Sequence, residues 1–213
     1  MRKIVAVEFV SLDGVIQAPG GPDEDPSGGF RFGGWLAPLA DKIAGEALSL
    51  TYGTPYDLLL GRRTYDIFAA YWPKVAARNE ADGVSAGDLK FAREFNACFK
   101  YVATHHPATL GWEHSRPLGD DVVEGVRRLK KEDGKVLLIV GSSDLLHTLL
   151  AHDLVDELHL HIAPVILGKG KRLFDETSAP RSLKLTRSVI SSTGVLLMNY
   201  ERGGEVRTGS FGS

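Results

Sequence analysis

Two stretches of this chain share one pattern: a short apolar run, then a glycine, then residues at helical spacing. The first is Leu58–Leu60 followed by Gly61, and the second is Val136–Val140 followed by Gly141. Apolar runs of this length are typical of strands that are buried on both faces of a parallel sheet. Because parallel strands are joined by crossover helices, the pattern predicts an α/β fold with a mostly parallel sheet.

Each of these glycine turns opens a helix, and the start of a helix attracts anions through its unpaired N–H groups. Arg62 and Arg63 add cationic charge at the first turn, Thr64 adds a hydroxyl, and Ser142 and Ser143 are caps or phosphate donors at the second. Taken alone, the first turn fits a solvated strand-to-helix connection equally well. Together the two turns suit a ligand with two separated phosphate groups, such as a dinucleotide. Neither is a G-x-G-x-x-G or a Walker A sequence, so an ordinary Rossmann domain is not supported.

The bulk composition fits one globular domain with a short tail. The chain has 213 residues, 43% hydrophobic and 24% charged, and a net charge of −2, which gives no reason to expect a nucleic-acid partner. A single cysteine, Cys98, excludes a disulfide framework, and no stretch is long enough to span a bilayer. We expect a domain over residues 1–203, a flexible tail over 204–213, and a cytoplasmic protein without a membrane partner.

The N-terminal strand, Lys3–Val10, ends at Ser11-Leu12-Asp13-Gly14. Asp13 is either a turn former, which is the favoured interpretation, or a carboxylate held at the end of a central strand. A loop rich in glycine and proline follows over residues 18–34, and its length together with Phe30, Phe32 and Trp35 predicts a lid over a pocket.

The remaining spacing predicts further elements in alternation. Helices are expected at Pro38–Tyr52, from Arg62 to a stop at Tyr71-Trp72-Pro73, at Leu89–Phe95, from an Asp120 cap to Lys131, and after Gly141. Strands are expected at Phe99–Ala103 and in a C-terminal hairpin of Leu183–Ser191 and Val195–Arg202, and residues 74–88 are expected to form a surface loop.

Val155–Ile162 alternates between apolar and polar residues, which predicts a strand with one polar face. His159 and His161 on that face could share a metal, but a polar or subunit-facing side is favoured, and we expect no metal site. The basic segment Pro164–Arg172 that follows either contacts an anionic substrate or is a solvated turn.

Five of these segments, taken in order, resemble a known family. They are Ser11–Gly14, Leu60–Tyr65, Val140–Leu145, Asp156–Leu158 and Pro164–Gly170. The chain is similar over residues 3–202 to the reductase domain of bacterial riboflavin biosynthesis, which belongs to the dihydrofolate reductase superfamily. The resemblance implies a three-layer α/β/α fold with a mostly parallel mixed sheet and an antiparallel C-terminal hairpin. It also implies an NADPH-dependent reductase, commonly a homodimer, that transfers hydride to a pyrimidine- or pterin-like small molecule.

The resemblance also assigns site residues. Gly61, Arg62, Arg63 and Thr64 would hold the 2′-phosphate and pyrophosphate of NADPH, Thr104 and His105 would flank its adenosine end, and Gly141, Ser142 and Ser143 would hold its pyrophosphate from the second helix. Asp13 would be the catalytic group, orienting a ring N–H or relaying a proton through water. Asp13, Trp35, Gly168 and Gly170 would contact the substrate.

The chain departs from the family at the second turn, which is Gly-Ser where many relatives have Gly-Gly. It also lacks the zinc-deaminase signature, so the bifunctional riboflavin enzyme is excluded. The family therefore indicates the cofactor better than the substrate. A dihydrofolate or pterin reductase, a general quinone or carbonyl reductase, and a nucleotide-binding homologue without turnover stay open.

Overall fold

The computed structural model describes residues 1–176 and 178–212. Its strands are β1 (Ile4–Ser11), β2 (Tyr56–Gly61), β3 (Lys100–Ala103), β4 (Ser115–Pro117), β5 (Val136–Val140), β6 (Glu157–Ala163), β7 (Ser182–Ile190) and β8 (Leu196–Gly204). Its α-helices are α1 (Lys42–Tyr52), α2 (Arg62–Ala76), α3 (Ala86–Ala97), α4 (Val122–Lys131) and α5 (Ser143–Ala151). Within these ranges, no helix has both the length and the apolarity needed to cross a lipid bilayer.

The strands form one mixed sheet in the order β4-β3-β2-β5-β1-β6-β8-β7. Strands β1 to β6 run parallel, whereas β8 runs antiparallel to β6 and pairs with β7 in the C-terminal hairpin. In one row of the sheet, Val5 lies opposite Glu157, and Glu157 lies opposite Glu201. The predicted fold class is therefore confirmed, including the antiparallel hairpin.

Helices cover both faces of the sheet, which gives three layers. On β2, Leu58 and Leu60 pack with side chains of α1, α2 and α3, whereas Leu59 belongs to a second cluster with side chains of α4 and α5. All three leucines are fully buried, as the apolar run predicts for a strand between two helical layers.

The prediction that α2 ends at Pro73 is wrong, since the helix continues to Ala76. Proline lacks only its own N–H, and its carbonyl still accepts from the N–H of Ala77 at 3.2 Å. Val75 is buried just beyond the proline, and its burial favours the additional helical residues.

Several other helix boundaries differ from the predictions because side-chain caps set them. The cap of α4 is Asp121 rather than Asp120, with its carboxylate accepting from the N–H of Glu124 at 3.0 Å. Helix α3 is longer than predicted and begins inside the expected loop over residues 74–88, since Ser85 caps it by accepting from the N–H of Asp88 at 3.0 Å. Helix α1 begins at Lys42 instead of Pro38, after a cap by Asp41.

The interpretation of His159 and His161 as a polar or subunit-facing side is also wrong. The two side chains are 8% and 4% exposed because both faces of β6 are covered within the chain. His159 makes polar contacts to Thr51 and Glu157, and His161 packs edge-on against Phe9 with ring centroids 5.0 Å apart. Burial lowers the pKa of His161 to about 4, so this histidine is a neutral core residue at pH 7.

Candidate functional site

The two glycine turns lie side by side at the same edge of the sheet. They follow β2 and β5, which are neighbouring parallel strands, so both turns lie at the carboxyl ends. The N–H of Gly61 donates to Oγ of Ser142 at 2.8 Å and joins the two turns directly. One molecule can therefore contact both turns, and the carboxyl edge is where open α/β sheets bind ligands.

The second turn has a strained backbone. Gly141 has φ +72° and Ser142 has φ +76°, and the second value lies in the left-handed region that favours glycine. A Cβ atom added to Gly141 would lie 3.6 Å from Oγ1 of Thr64, so the two turns are also in contact at this point. The geometry places Gly61, Thr64, Gly141 and Ser142 in one cradle.

Arg62 extends from the start of α2 over the loop that follows β3. Its Nη1 donates to Oγ1 of Thr109 at 2.6 Å and to Oγ1 of Thr104 at 3.3 Å, and its Nε contacts both carboxylate oxygens of Asp66 at 2.9 Å. One fixed cation and two hydroxyls thus lie together beside the first turn. The structure brings Thr104 to the site through Arg62, as a partner of the guanidinium.

Arg63 points instead to the predicted lid. Its guanidinium pairs with Asp25, a 7% exposed carboxylate that also accepts from Nζ of Lys171 at 2.8 Å. Burial alone would raise the pKa of Asp25, but the hydrogen bonds from Lys171 and Ser27 outweigh it and leave the pKa lowered. Asp25 therefore ties the lid both to α2 and to the basic segment 164–172.

A cavity of about 1320 Å³ opens along this edge of the sheet. Its walls include eight of the nine predicted cofactor residues, and the ninth, Thr104, is bound to Arg62. These eight are Gly61, Arg62, Arg63, Thr64, His105, Gly141, Ser142 and Ser143. The lid also contributes, through residues 17–25.

Asp13 lies outside the walls of this cavity. Its carboxylate accepts from Oγ of Ser11 at 2.6 Å and from the N–H groups of Leu167 and Gly168 at 3.1 and 2.8 Å. Partial burial favours the neutral acid, but these hydrogen bonds outweigh it and lower the pKa to about 2. Asp13 is thus an ionised anchor for the segment 164–172, as the turn interpretation predicts, and its catalytic role stays a prediction.

The other predicted substrate residues, Trp35, Gly168 and Gly170, also lie outside the walls of the cavity. Trp35 is buried, and its Nε1 donates to the carbonyl of Gln17 at 2.9 Å. Gly170 has φ +137°, and a Cβ atom there would lie 2.5 Å from Cγ1 of Val15. Trp35 and Gly170 are therefore packed among the loops, whereas Gly168 is exposed, and none of the three lines the cavity.

The cavity has its own carboxyl group, Glu8 on the central strand β1. Glu8 is 2% exposed, and its Oε1 has no hydrogen-bond partner. Burial raises its pKa to about 8, against an opposing contribution from the backbone N–H of Gly141. At pH 7 Glu8 is a neutral acid at the ligand-binding edge.

Sequence reasoning missed Glu8, a charged residue that interrupts the apolar run of the N-terminal strand Lys3–Val10. The usable signal is the same interruption: a charged residue within a strand that is buried on both faces is rarely tolerated without a function. Trp72 was missed as well, since α2 was expected to stop there and the direction of its indole could not be read from the chain.

A model of the RibD C-terminal domain matches residues 2–197. The chain belongs to the RibD C-terminal domain family. This confirms the predicted resemblance.

Three known proteins are similar to this chain over nearly its whole length. The uncharacterized protein YyaP of Bacillus subtilis (strain 168) is 28% identical over 207 residues, covering 95% of this chain and 96% of that protein. A putative riboflavin biosynthesis protein from Shewanella sp. PV-4 has 18% identity and a TM-score of 0.58, covering 94% of this chain and 98% of its own. Dihydrofolate reductase from Enterococcus faecalis, in complex with NADP(H), has 15% identity and a TM-score of 0.54, covering 94% and 96%. At these identities the two structures show a shared fold.

Proposed function

We propose that this protein is an NADPH-dependent reductase that transfers hydride to a pyrimidine- or pterin-like small molecule, as riboflavin-biosynthesis reductases do. The observation that carries the proposal is the direct contact between the two glycine turns, Gly61 N–H to Ser142 Oγ, at the mouth of one cavity. A dinucleotide could contact both turns at once, because its pyrophosphate carries the anionic oxygens that helix starts bind. The family match and the NADP(H) complex of a similar fold support this choice of cofactor.

The residues at the turns fit the phosphates of NADPH. Arg62 with Thr104 and Thr109 forms a cationic, hydroxyl-rich corner that suits the 2′-phosphate, because arginine can donate two hydrogen bonds to one phosphate. The start of α5 at Ser143 offers backbone N–H groups to the pyrophosphate. When bound, NADPH supplies the hydride, and the protein supplies orientation and exclusion of water.

The decisive experiment is Arg62→Ala, with dissociation constants measured for NADPH and for NADH. Loss of one charge-assisted contact to the 2′-phosphate should weaken NADPH binding by roughly 10- to 100-fold. NADH lacks that phosphate, so its affinity should change little, and the preference for NADPH should collapse.

Arg127→Ala is the matched control, since Arg127 is an exposed helical arginine on α4 with an intrahelical partner, Glu124 at 4.0 Å. It should leave both affinities unchanged. An unaltered preference for NADPH in Arg62→Ala would contradict the assignment of the 2′-phosphate.

The homodimer implied by the resemblance and the cytoplasmic location expected from the composition stay predictions. Light scattering on the purified protein would test the first. Binding of NADPH without its oxidation across a panel of pyrimidine, pterin and quinone compounds would favour a nucleotide-binding homologue without turnover.

A further inference from the structure

One end of the cavity, away from the arginines, is walled by aromatic rings. Tyr52 from α1, Trp72 from α2, and Phe91 and Phe95 from α3 all line it. Ring centroids lie 4.8 Å apart for Tyr52 and Phe91 and 5.0 Å apart for Trp72 and Phe95. Such walls favour a flat ligand, because ring faces and edges pack closely against another planar system.

Two residues that line the cavity each carry a buried polar atom without a partner. Within the described part of the chain, Glu8 Oε1 and Trp72 Nε1 are the buried side-chain nitrogen and oxygen atoms that lack a hydrogen bond. Both residues line this cavity. An unpaired buried polar atom destabilises the fold, so a partner supplied by a ligand would offset that cost.

Both groups can donate a hydrogen bond, so each needs a hydrogen-bond acceptor on the ligand. The indole of Trp72 can only donate. Glu8 is a neutral acid at pH 7 and carries an O–H donor, since burial raises its pKa to about 8. Carbonyl oxygens and ring nitrogens are the acceptors that a flat ring can offer.

The charges at this end do not suit a phosphate. All the lysine and arginine side chains among the cavity walls, Arg62, Arg63 and Lys171, are paired with Asp66 or Asp25 near the turns and the lid. At the aromatic end the charged neighbour is Asp88, at the start of α3. A second phosphate would meet a carboxylate there, and like charges repel.

We propose that the aromatic end of the cavity binds a flat, uncharged ring bearing carbonyl or ring-nitrogen acceptors, and discriminates against the same ring carrying a phosphate. This inference rests on the proposed function and narrows its substrate class. It separates the substrate of this chain from the phosphorylated substrate of a 5-amino-6-(5-phosphoribosylamino)uracil reductase.

The probes are riboflavin and riboflavin 5′-phosphate, which share one planar ring system and differ by the phosphate. Equilibrium dialysis of the full chain at pH 7, with and without saturating NADP⁺, gives both dissociation constants. Riboflavin should bind at least about tenfold more tightly than its phosphate, from repulsion and an unpaired anion. Equal or tighter binding of the phosphate, or no binding of riboflavin, would overturn the proposal.

Two variants test the named groups. Trp72→Phe keeps an aromatic wall but removes the donor, and it should weaken riboflavin binding by roughly five- to tenfold.

Asp88→Lys should narrow the difference in affinity between riboflavin and its phosphate. Asp133→Lys, the same charge change at an exposed position outside the cavity, should not narrow it. An unchanged difference in Asp88→Lys would count against the electrostatic argument.

The cofactor readout keeps the two proposals distinguishable. If NADPH fails to bind while riboflavin is still preferred over its phosphate, the reductase proposal fails and the pocket assignment stands. If NADPH binds and the preference is absent, the pocket assignment fails and the reductase proposal stands.

Discussion

Ser142 is a residue with a side chain at the left-handed position of the second glycine turn. It holds φ +76° and ψ +69°, a conformation that costs a residue with a side chain roughly 1 kcal/mol or more relative to glycine. Its hydroxyl offsets part of that free-energy cost by accepting a hydrogen bond from the N–H of Gly61. The same bond occupies an amide that would otherwise face an anion.

Ser142→Gly should therefore change ligand binding more than stability. Relief of backbone strain and loss of one hydrogen bond are each about 1 kcal/mol and of opposite sign, so the melting temperature should move by only a few degrees. The freed N–H of Gly61 should tighten NADPH binding about threefold or more. Isothermal titration calorimetry measures this directly.

Ser142→Ala is the informative comparison because it frees the same amide but keeps the strained backbone. It should lower the free energy of unfolding by about 1 kcal/mol. Weaker NADPH binding in both variants would show that the hydroxyl itself is a ligand contact.

At the scale of elements, one carboxylate joins the lid to two neighbouring segments. Asp25 contacts Arg63 at the start of α2 and Lys171 in the basic segment, and Gln17 binds the carbonyls of Asp25 and Ser27 at 2.9 and 3.0 Å. The lid is thus attached to both sides of the cavity mouth. The position of Arg63 is set by the lid as much as by its own helix.

Asp25→Asn should loosen the lid while leaving the sheet intact. The two cations are partly exposed, so the loss should be about 1–2 kcal/mol, below the value for a fully buried pair. Hydrogen exchange over residues 18–34 should become faster, with β1 and β5 unchanged. Asp23→Asn removes a similar charge from an exposed neighbour and should have little effect on the same amides.

The elements with strong hydrophobic periodicity could be predicted, and those fixed by other forces could not. The buried runs of β2 and β5 and the C-terminal hairpin are confirmed because burial on defined faces dictates their sequences. Strand β4, Ser115–Pro117, was missed because it is short, polar and contains a proline, and only its pairing with β3 makes it a strand. Likewise the two glycine turns follow from local chemistry, whereas the aromatic end of the cavity depends on helix orientations that only tertiary packing decides.

For the whole molecule, the buried side chains of Glu8 and His161 make the stability of the fold depend on pH in opposite directions. The unfolded chain releases the proton of Glu8 near pH 4.5, but the folded chain holds it to about pH 8, so stability falls as pH rises between these values. His161 has a folded pKa of about 4 against 6.5, so its contribution is present above pH 6.5 and is lost as pH falls toward 4. The two slopes oppose one another from pH 4.5 to 6.5, and the slope of Glu8 then continues to about pH 8, where the lowered pKa of buried Lys100 adds a slope of opposite sign.

Glu8→Gln should therefore abolish most of the loss of stability between pH 6.5 and 7.5, a range below the pKa of about 8 that burial gives Lys100. Without ligand, the free energy of unfolding of the original chain should fall by about 1 kcal/mol over this range, and that of the variant should stay nearly level. Urea titrations at the two pH values measure both. Glu46→Gln, at an exposed site on α1, should behave as the original chain, and an equal fall in Glu8→Gln would show that Glu8 ionises normally.

The register that aligns Val5, Glu157 and Glu201 in one row has a practical consequence. It places the first residues of β1 and the last residues of β8 at the rim of the sheet opposite Gly61 and Gly141. A fluorescent reporter or a surface tether joined at either terminus would leave the mouth of the cavity unobstructed. The protein could be immobilised by its ends and screened against compound libraries with the binding edge facing the flow.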